Sequence, residues 1–153
     1  MYLGVDPGTT GALVVLEPNG EFVDALLMPT VASGKSNRVN GAAIAAFLAQ
    51  YPIIHAFFEK VGAMPGNGGT SMFTFGHAAG LVEGVILGGQ IPFTHITPQA
   101  WKKAAKLIGS EKDAARSRAV QLYPRLRILD QKIKGQAYAD ALLIARAGCG
   151  LSI

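Results

Sequence analysis

The chain has 153 residues, half of them apolar, a net charge of +4 and one cysteine, Cys149. That length supports one domain with a real core. The single cysteine excludes an intramolecular disulfide and suggests no thiolate zinc site, and the sequence offers no apolar run near the roughly 20 residues of a membrane span. The N-terminus lacks a signal-peptide pattern, so a reducing, cytoplasmic compartment is expected. Charge is distributed unevenly: residues 1–101 carry net −3 and residues 102–153 net +7. A basic last third suits contact with a polyanion, though a solvated basic helix face explains it equally well.

Residues 2–12 read as a short buried strand that ends on Asp6 and enters a tight turn. Leu3 and Val5 are strand formers, and Pro7, Gly8 and Gly11 are turn residues. A second apolar run, residues 13–16, returns antiparallel. A carboxylate at a strand end inside a sheet must be paired, protonated or metal-bound. Residues 21–28 predict a third strand after the turn at 18–20. Residues 29–40 are polar and predict a surface loop, with Lys35 and Arg38 able to touch a ligand backbone.

Asn40 predicts a helix cap, with Ile44, Phe47 and Leu48 on the buried face of a helix to about residue 50. Residues 52–59 form the clearest buried strand, and it too ends on a carboxylate, Glu59. His55 within it reads as a partnered structural histidine. Residues 60–70 are glycine-rich without the Gly-Lys-Ser/Thr ending of a Walker loop. They predict a substrate-facing loop carrying Lys60 and Met64.

Ser71 predicts the cap of a helix to about residue 87. Gly76, Gly80 and Gly84 strip one stripe of that helix of side chains. Three glycines cost roughly 1 kcal/mol each against alanine, which points to close packing against the sheet or a second subunit, the sheet being favoured. Phe73 and Phe75 are core anchors or base-stacking groups.

Residues 91–96 predict a fifth strand, and Thr97-Pro98 opens a helix bearing Trp101, Lys102, Lys103 and Lys106. Ser110 predicts a cap for a helix over 111–122 with Lys112, Arg116 and Arg118. Residues 130–136 read as a polar connector with Lys132 and Lys134. The last helix is expected over 137–148, with Asp140 in its first turn.

Three antiparallel strands followed by helix-connected strands resemble the ribonuclease-H-like fold: an α/β domain with a five-stranded mixed sheet flanked by helices. That topology puts the first strand beside the fourth, so Asp6 and Glu59 become neighbours and the final helix can bring in Asp140. Three converging carboxylates repel unless divalent cations neutralise them. Hard oxygen ligands suit Mg²⁺ or Mn²⁺, and two such ions about 3.5–4 Å apart can drive phosphodiester hydrolysis.

The segments Gly4-Val5-Asp6-Pro7-Gly8-Thr9-Thr10-Gly11, Phe57-Phe58-Glu59-Lys60-Val61 and Ala137-Tyr138-Ala139-Asp140-Ala141 resemble RuvC-type Holliday-junction resolvases, particularly phage-encoded forms. The resemblance spans nearly the whole chain. It implies a homodimer that binds four-way DNA junctions and makes paired symmetric nicks, leaving 5′-phosphates and 3′-hydroxyls. It implies that Asp6 bridges two metals while Glu59 holds one and Asp140 the other. It also implies a fourth acid or a histidine shortly before Asp140. Here Lys134, Gly135, Gln136 and Ala137 occupy that stretch. Gln136 can supply a neutral oxygen, Asp130 can approach, or Lys132 or Lys134 can replace one cation's charge.

Lys102, Lys103, Lys106, Lys112, Arg116 and Arg118 are candidates to follow phosphate backbones. Lys60, Met64, Phe73 and Phe75 are candidates for the junction centre. Three rival readings remain open. One is a non-catalytic junction binder of the same fold. Another is a nuclease for other branched DNA or RNA. The third is the phosphate hairpin of sugar kinases and actin-like ATPases, for which 153 residues leave no second lobe.

Overall fold

The computed structural model describes residues 1–34, 36–62, 66, 68–111 and 113–153. The chain runs β1 (Tyr2–Asp6), β2 (Ala12–Leu16), β3 (Phe22–Leu27), β4 (Thr30–Ser33), β5 (Ser36–Val39), α1 (Gly41–Leu48), β6 (His55–Glu59), α2 (Gly69–Gly88), β7 (Phe93–Ile96), α3 (Pro98–Ala104), α4 (Ala114–Leu122), a 3₁₀ turn (Arg127–Leu129) and α5 (Lys132–Gly148). The main sheet has the order β3-β2-β1-β6-β7. β1–β2 and β2–β3 are antiparallel, while β1–β6 and β6–β7 are parallel. This is the ribonuclease-H-like topology, with β1 central and β6, the fourth strand of the main sheet, beside it.

The period-two alternation of strand side chains divides the core between the two faces. Leu3, Val5, Leu13, Val15 and Phe58 pack under Ile44 of α1 and Val82 and Ile86 of α2. Val14, Leu16 and Phe57 pack with Trp101 of α3 and Leu142 and Ile144 of α5. On β1 the second face is nearly bare, because Gly4 lies directly beneath α5. A Cβ there would overlap the Ala141 carbonyl oxygen and lie 2.8 Å from the Ala145 Cβ. Helix α5 therefore rests on the β1 backbone, and Asp140, one residue before Ala141, comes down beside the end of that strand.

Several local expectations are corrected. Within the expected loop, Thr30–Ser33 and Ser36–Val39 pair as antiparallel strands, with Thr30 opposite Val39 and Ser33 opposite Ser36. Its strands are mostly exposed, so no hydrophobic alternation announces them, and Gly34 takes φ +61° at the turn. Helix α2 starts at Gly69 after Gly68, without a side-chain cap, and Ser71 lies inside it. Helix α4 starts at Ala114, beyond Ser110. The expected connector at 130–136 is largely the first turn of α5, which places Asp140 two turns into the helix. Gly135 permits this start, since a Cβ there would lie 2.6 Å from the Leu129 carbonyl oxygen.

The glycine stripe of α2 does not pack on the sheet. A Cβ at Gly76, Gly80 or Gly84 would meet nothing within 4 Å. The buried face consists instead of Ala78, Ala79, Val82 and Ile86. Contrary to the expectation of no such stretch, α2 is by length and composition apolar enough to cross a membrane, with 20 residues and mean hydropathy 1.2. Its open face includes the exposed side chains of Phe73 and Leu87.

Candidate active site

Strand register builds the site. Tyr2 pairs with His55 and Gly4 with Phe57, so Asp6 and Glu59 stand level one step beyond the last paired residues. Both fall on the α5 side of the sheet, two residues after Gly4 and Phe57 respectively. Adjacent strands lie about 4.8 Å apart, so the carboxylates meet at one edge. Gly11 completes the cradle, because a Cβ there would lie 2.9 Å from the Asp6 carboxyl carbon. The turn folds back through Gly11 N–H donating to Gly8 O at 2.9 Å.

Electrostatics record the convergence. Burial pushes Asp6 up from its ordinary 3.8 to about 7, with repulsion from Glu59 and then Asp140 adding to the rise and a hydrogen bond from the Gly8 N–H opposing it. Asp140 is also pushed up to about 7, by burial and then by Glu59, against the Gln136 hydrogen bond and the Lys102 charge. Two groups that hold protons near neutrality for lack of countercharge suit a cation site.

Neighbouring side chains fix the acids. The Trp101 indole Nε1–H donates to Glu59 Oε1 at 2.8 Å. Trp101 is only 2% exposed, so it holds that carboxylate from within the core. Gln136, one turn before Asp140, donates its Nε2 to Asp140 Oδ1 at 2.9 Å. The Gln136 Oε1 is buried without a hydrogen-bond partner. Asp130 is turned elsewhere, paired with Arg127 at 3.3 Å on the surface.

These groups fit divalent metal of an open kind. Asp6, Glu59, Asp140 and the orphaned Gln136 oxygen are all hard oxygen donors. Among the described residues no three His, Cys, Asp or Glu side chains form a cage for one ion. What fits is an ion drawing on one or two carboxylates and otherwise on water or substrate oxygen, the habit of Mg²⁺.

The basic and aromatic candidates divide by position. Lys102 lines the cleft beside Asp140 and Gln136, a space of about 420 Å³, and its ammonium lies 5.3 Å from the Trp101 ring centre. Lys60, Lys103, Lys106, Lys132 and Lys134 are exposed. Arg116 points inward, donating Nη1 to the Leu129 carbonyl at 3.3 Å. Arg118 donates to Gln121 at 2.8 Å. Phe73 is 74% exposed. Phe75 covers the turn after Asp6, since a Cβ on Gly8 would touch its ring at 3.5 Å. Lys35, Met64 and Lys112 lie outside the described residues. Trp101 is the residue that sequence reasoning left without a role. Its signal was the Thr97-Pro98 helix start, which puts the chain's single tryptophan one turn beyond the fifth strand of the main sheet.

No family model matches the sequence, and no curated protein matches it. Solved structures do match the fold. One is "T. thermophilus RuvC in complex with Holliday junction substrate", at TM-score 0.70 and 16% identity, covering 95% of this chain and 90% of that one. Another is "Thermus thermophilus RuvC structure", at TM-score 0.63 and 19% identity, covering 95% and 91%. At these identities the likeness is one of fold, over almost the full length of both chains.

Proposed function

We propose that this protein is a metal-dependent endodeoxyribonuclease that resolves four-way DNA junctions by paired symmetric nicks, in the cytoplasm of a bacterial or phage-infected cell. The observation that carries the reading is geometric: Asp6 and Glu59 stand level at the ends of paired strands, with α5 resting on β1 and bringing Asp140 beside them, in a fold shared with a RuvC solved on a Holliday junction. Asp6, Glu59 and Asp140, with Gln136 as the neutral fourth donor, would hold two Mg²⁺ or Mn²⁺ ions, which would supply Lewis acidity and activate a water nucleophile. Trp101 keeps Glu59 aimed at that edge. Lys102 attracts the phosphate of the strand to be cut. Lys60, Lys103, Lys106, Lys132 and Lys134 follow the backbone, and Phe73 and Phe75 meet unstacked bases at the junction centre.

The nicking assay is direct. A synthetic four-way junction with Mg²⁺ or Mn²⁺ yields paired nicks bearing 5′-phosphates on a denaturing gel, and EDTA suppresses them. Cleavage confined to flaps or hybrids rejects junction resolution. One observation favours a second reading, a junction binder with impaired cleavage. Gln136 stands where the resemblance leads one to expect an acid, and its amide N–H already occupies Asp140. Binding without nicks selects that reading.

The protein works as a homodimer, with the open glycine stripe of α2 as the seam. Small residues let two backbones approach closely, and the flanking Leu87 buries apolar surface on pairing. Gly80→Glu converts the dimer to monomer in sedimentation velocity, with little change in melting temperature at high dilution. A wild-type chain that sediments as monomer at tens of micromolar removes the seam.

A further inference from the structure

The β4–β5 hairpin has no part in the catalytic centre, yet it leans on α2, and between them lies an open cleft of about 300 Å³ whose walls mix polar groups with Val39, Phe73 and Ala78. We infer that this cleft is a second phosphate site, binding a backbone phosphodiester of the DNA strand that is cut at Asp6, within about three nucleotides of the scissile phosphate. The inference rests on the DNA substrate proposed above. The cleft is lined by Thr9 of the β1–β2 turn, Ser36, Asn37 and Arg38 of the hairpin, and Thr74 and His77 of α2.

Arg38 is the centre of the argument. Its Nη2 lies 2.9 Å from His77 Nε2. A guanidinium has five N–H donors and no acceptor, so His77 must accept there, as a neutral ring with its proton on Nδ1. Among the described residues the ion pairs are Glu83 with His95 and Asp130 with Arg127. Arg38 thus has no carboxylate partner. A neutral imidazole orients the cation without cancelling its charge. Thr9, Asn37 and Thr74 line the same cleft and carry neutral donors. A full positive charge with no carboxylate partner among the described residues suits an anion with several acceptor oxygens, and arginine matches phosphate in a two-pronged geometry.

Position ties the cleft to the strand being cut. Thr9 follows Asp6 by three residues, at most about 11 Å of backbone. That is about three stacked nucleotides at a rise of 3.4 Å per strand. Exposed Phe73 stands at the rim, its ring 6.2 Å from that of His77, where a base can stack beside the bound phosphate.

The test is equilibrium junction binding in EDTA across a salt series, for wild type, Arg38→Gln, Arg38→Lys and Thr74→Glu, with melting temperatures alongside. Arg38→Gln is expected to weaken binding about 3–10-fold on every junction sequence and to reduce the salt slope by about one. Arg38→Lys retains the slope, and Thr74→Glu weakens binding without changing the melting temperature. Wild-type slope and affinity in both Arg38→Gln and Thr74→Glu overturn the site while leaving junction resolution standing. So does an Arg38→Gln defect that comes with a lower melting temperature while Thr74→Glu binds normally, because the arginine then only pins the hairpin. A wild-type protein that binds no junction at any salt removes the proposed function and this site together.

Discussion

Asp6→Asn is expected to abolish nicking and, at pH 8 without metal, to make the protein more stable. Both effects come from one buried charge. Asp6 rises from 3.8 to about 7 in the folded chain, so the native state holds a proton that the unfolded state releases. Stability falls wherever the native state binds more protons than the unfolded one. The Asp6 contribution is therefore fully favourable below about pH 4, declines as pH rises from about 4 to about 7, and is flat above. At 1.36 kcal/mol per unit, a shift of that size costs up to roughly 4 kcal/mol at pH 8. Asparagine keeps the shape without the charge and removes that cost. At about 2–4 °C per kcal/mol for a chain of this length, a gain of a few kcal/mol raises the melting temperature by on the order of 10 °C. Mg²⁺ neutralises the same acids, so it raises the wild-type melting temperature at pH 8 far more than at pH 5, and it barely moves the variant. Removing a group that carries several kcal/mol of transition-state stabilisation costs roughly a thousandfold or more in rate. Thermal scans at pH 5 and 8 with and without Mg²⁺, beside a nicking gel, check all of this. A variant that still nicks, or that melts lower than wild type at pH 8 without metal, removes Asp6 from the proposed centre.

The strand-end placement of Asp6 and Glu59 is legible because each closes a short apolar run before turn residues, and parallel pairing of the first and fourth main-sheet strands then sets them level. Asp140 is legible only through the resemblance, since nothing in its local helix pattern distinguishes it from a surface acid. Its position within α5 is misjudged because Lys132, Lys134 and Gly135 disguise a helical turn as a linker. Trp101 looks like one more core aromatic. Its hydrogen bond to Glu59 spans 42 residues and follows from how α3 returns over the sheet. The hairpin at 30–39 is hidden for a different reason. A two-stranded ribbon exposed on both faces needs no alternating pattern, and register comes from its turn alone. The glycines of α2 are read correctly as a costly stripe, but local sequence does not say which face of a helix meets the sheet when both faces are apolar.

The most damaging single methyl group in this molecule is expected at Gly4. Gly4→Ala puts a Cβ onto the Ala141 carbonyl oxygen, with the Ala145 Cβ at 2.8 Å and its backbone nitrogen at 2.9 Å. The obstruction is main chain and a side chain with no rotamer, so no local adjustment relieves it. Either β1 leaves its place between β2 and β6, or α5 lifts off the sheet. Lifting α5 exposes Leu142, Leu143 and Ile144, all fully buried, and carries Asp140 away from Asp6. The expected loss exceeds about 4 kcal/mol, a size reached only by a few mechanisms, overpacking against backbone among them. Against a typical total of 5–15 kcal/mol, the variant is largely unfolded at 37 °C or folds with its acids displaced. Gly34→Ala is the control for handling, because a Cβ there meets nothing within 4 Å and only the φ of +61° penalises it. Urea titration followed by circular dichroism compares the two, and nicking by any folded remnant reports on the acids. A Gly4→Ala protein with the wild-type midpoint and full nicking means that α5 does not rest on β1 at this point, and the arrangement that brings Asp140 to Asp6 fails with it.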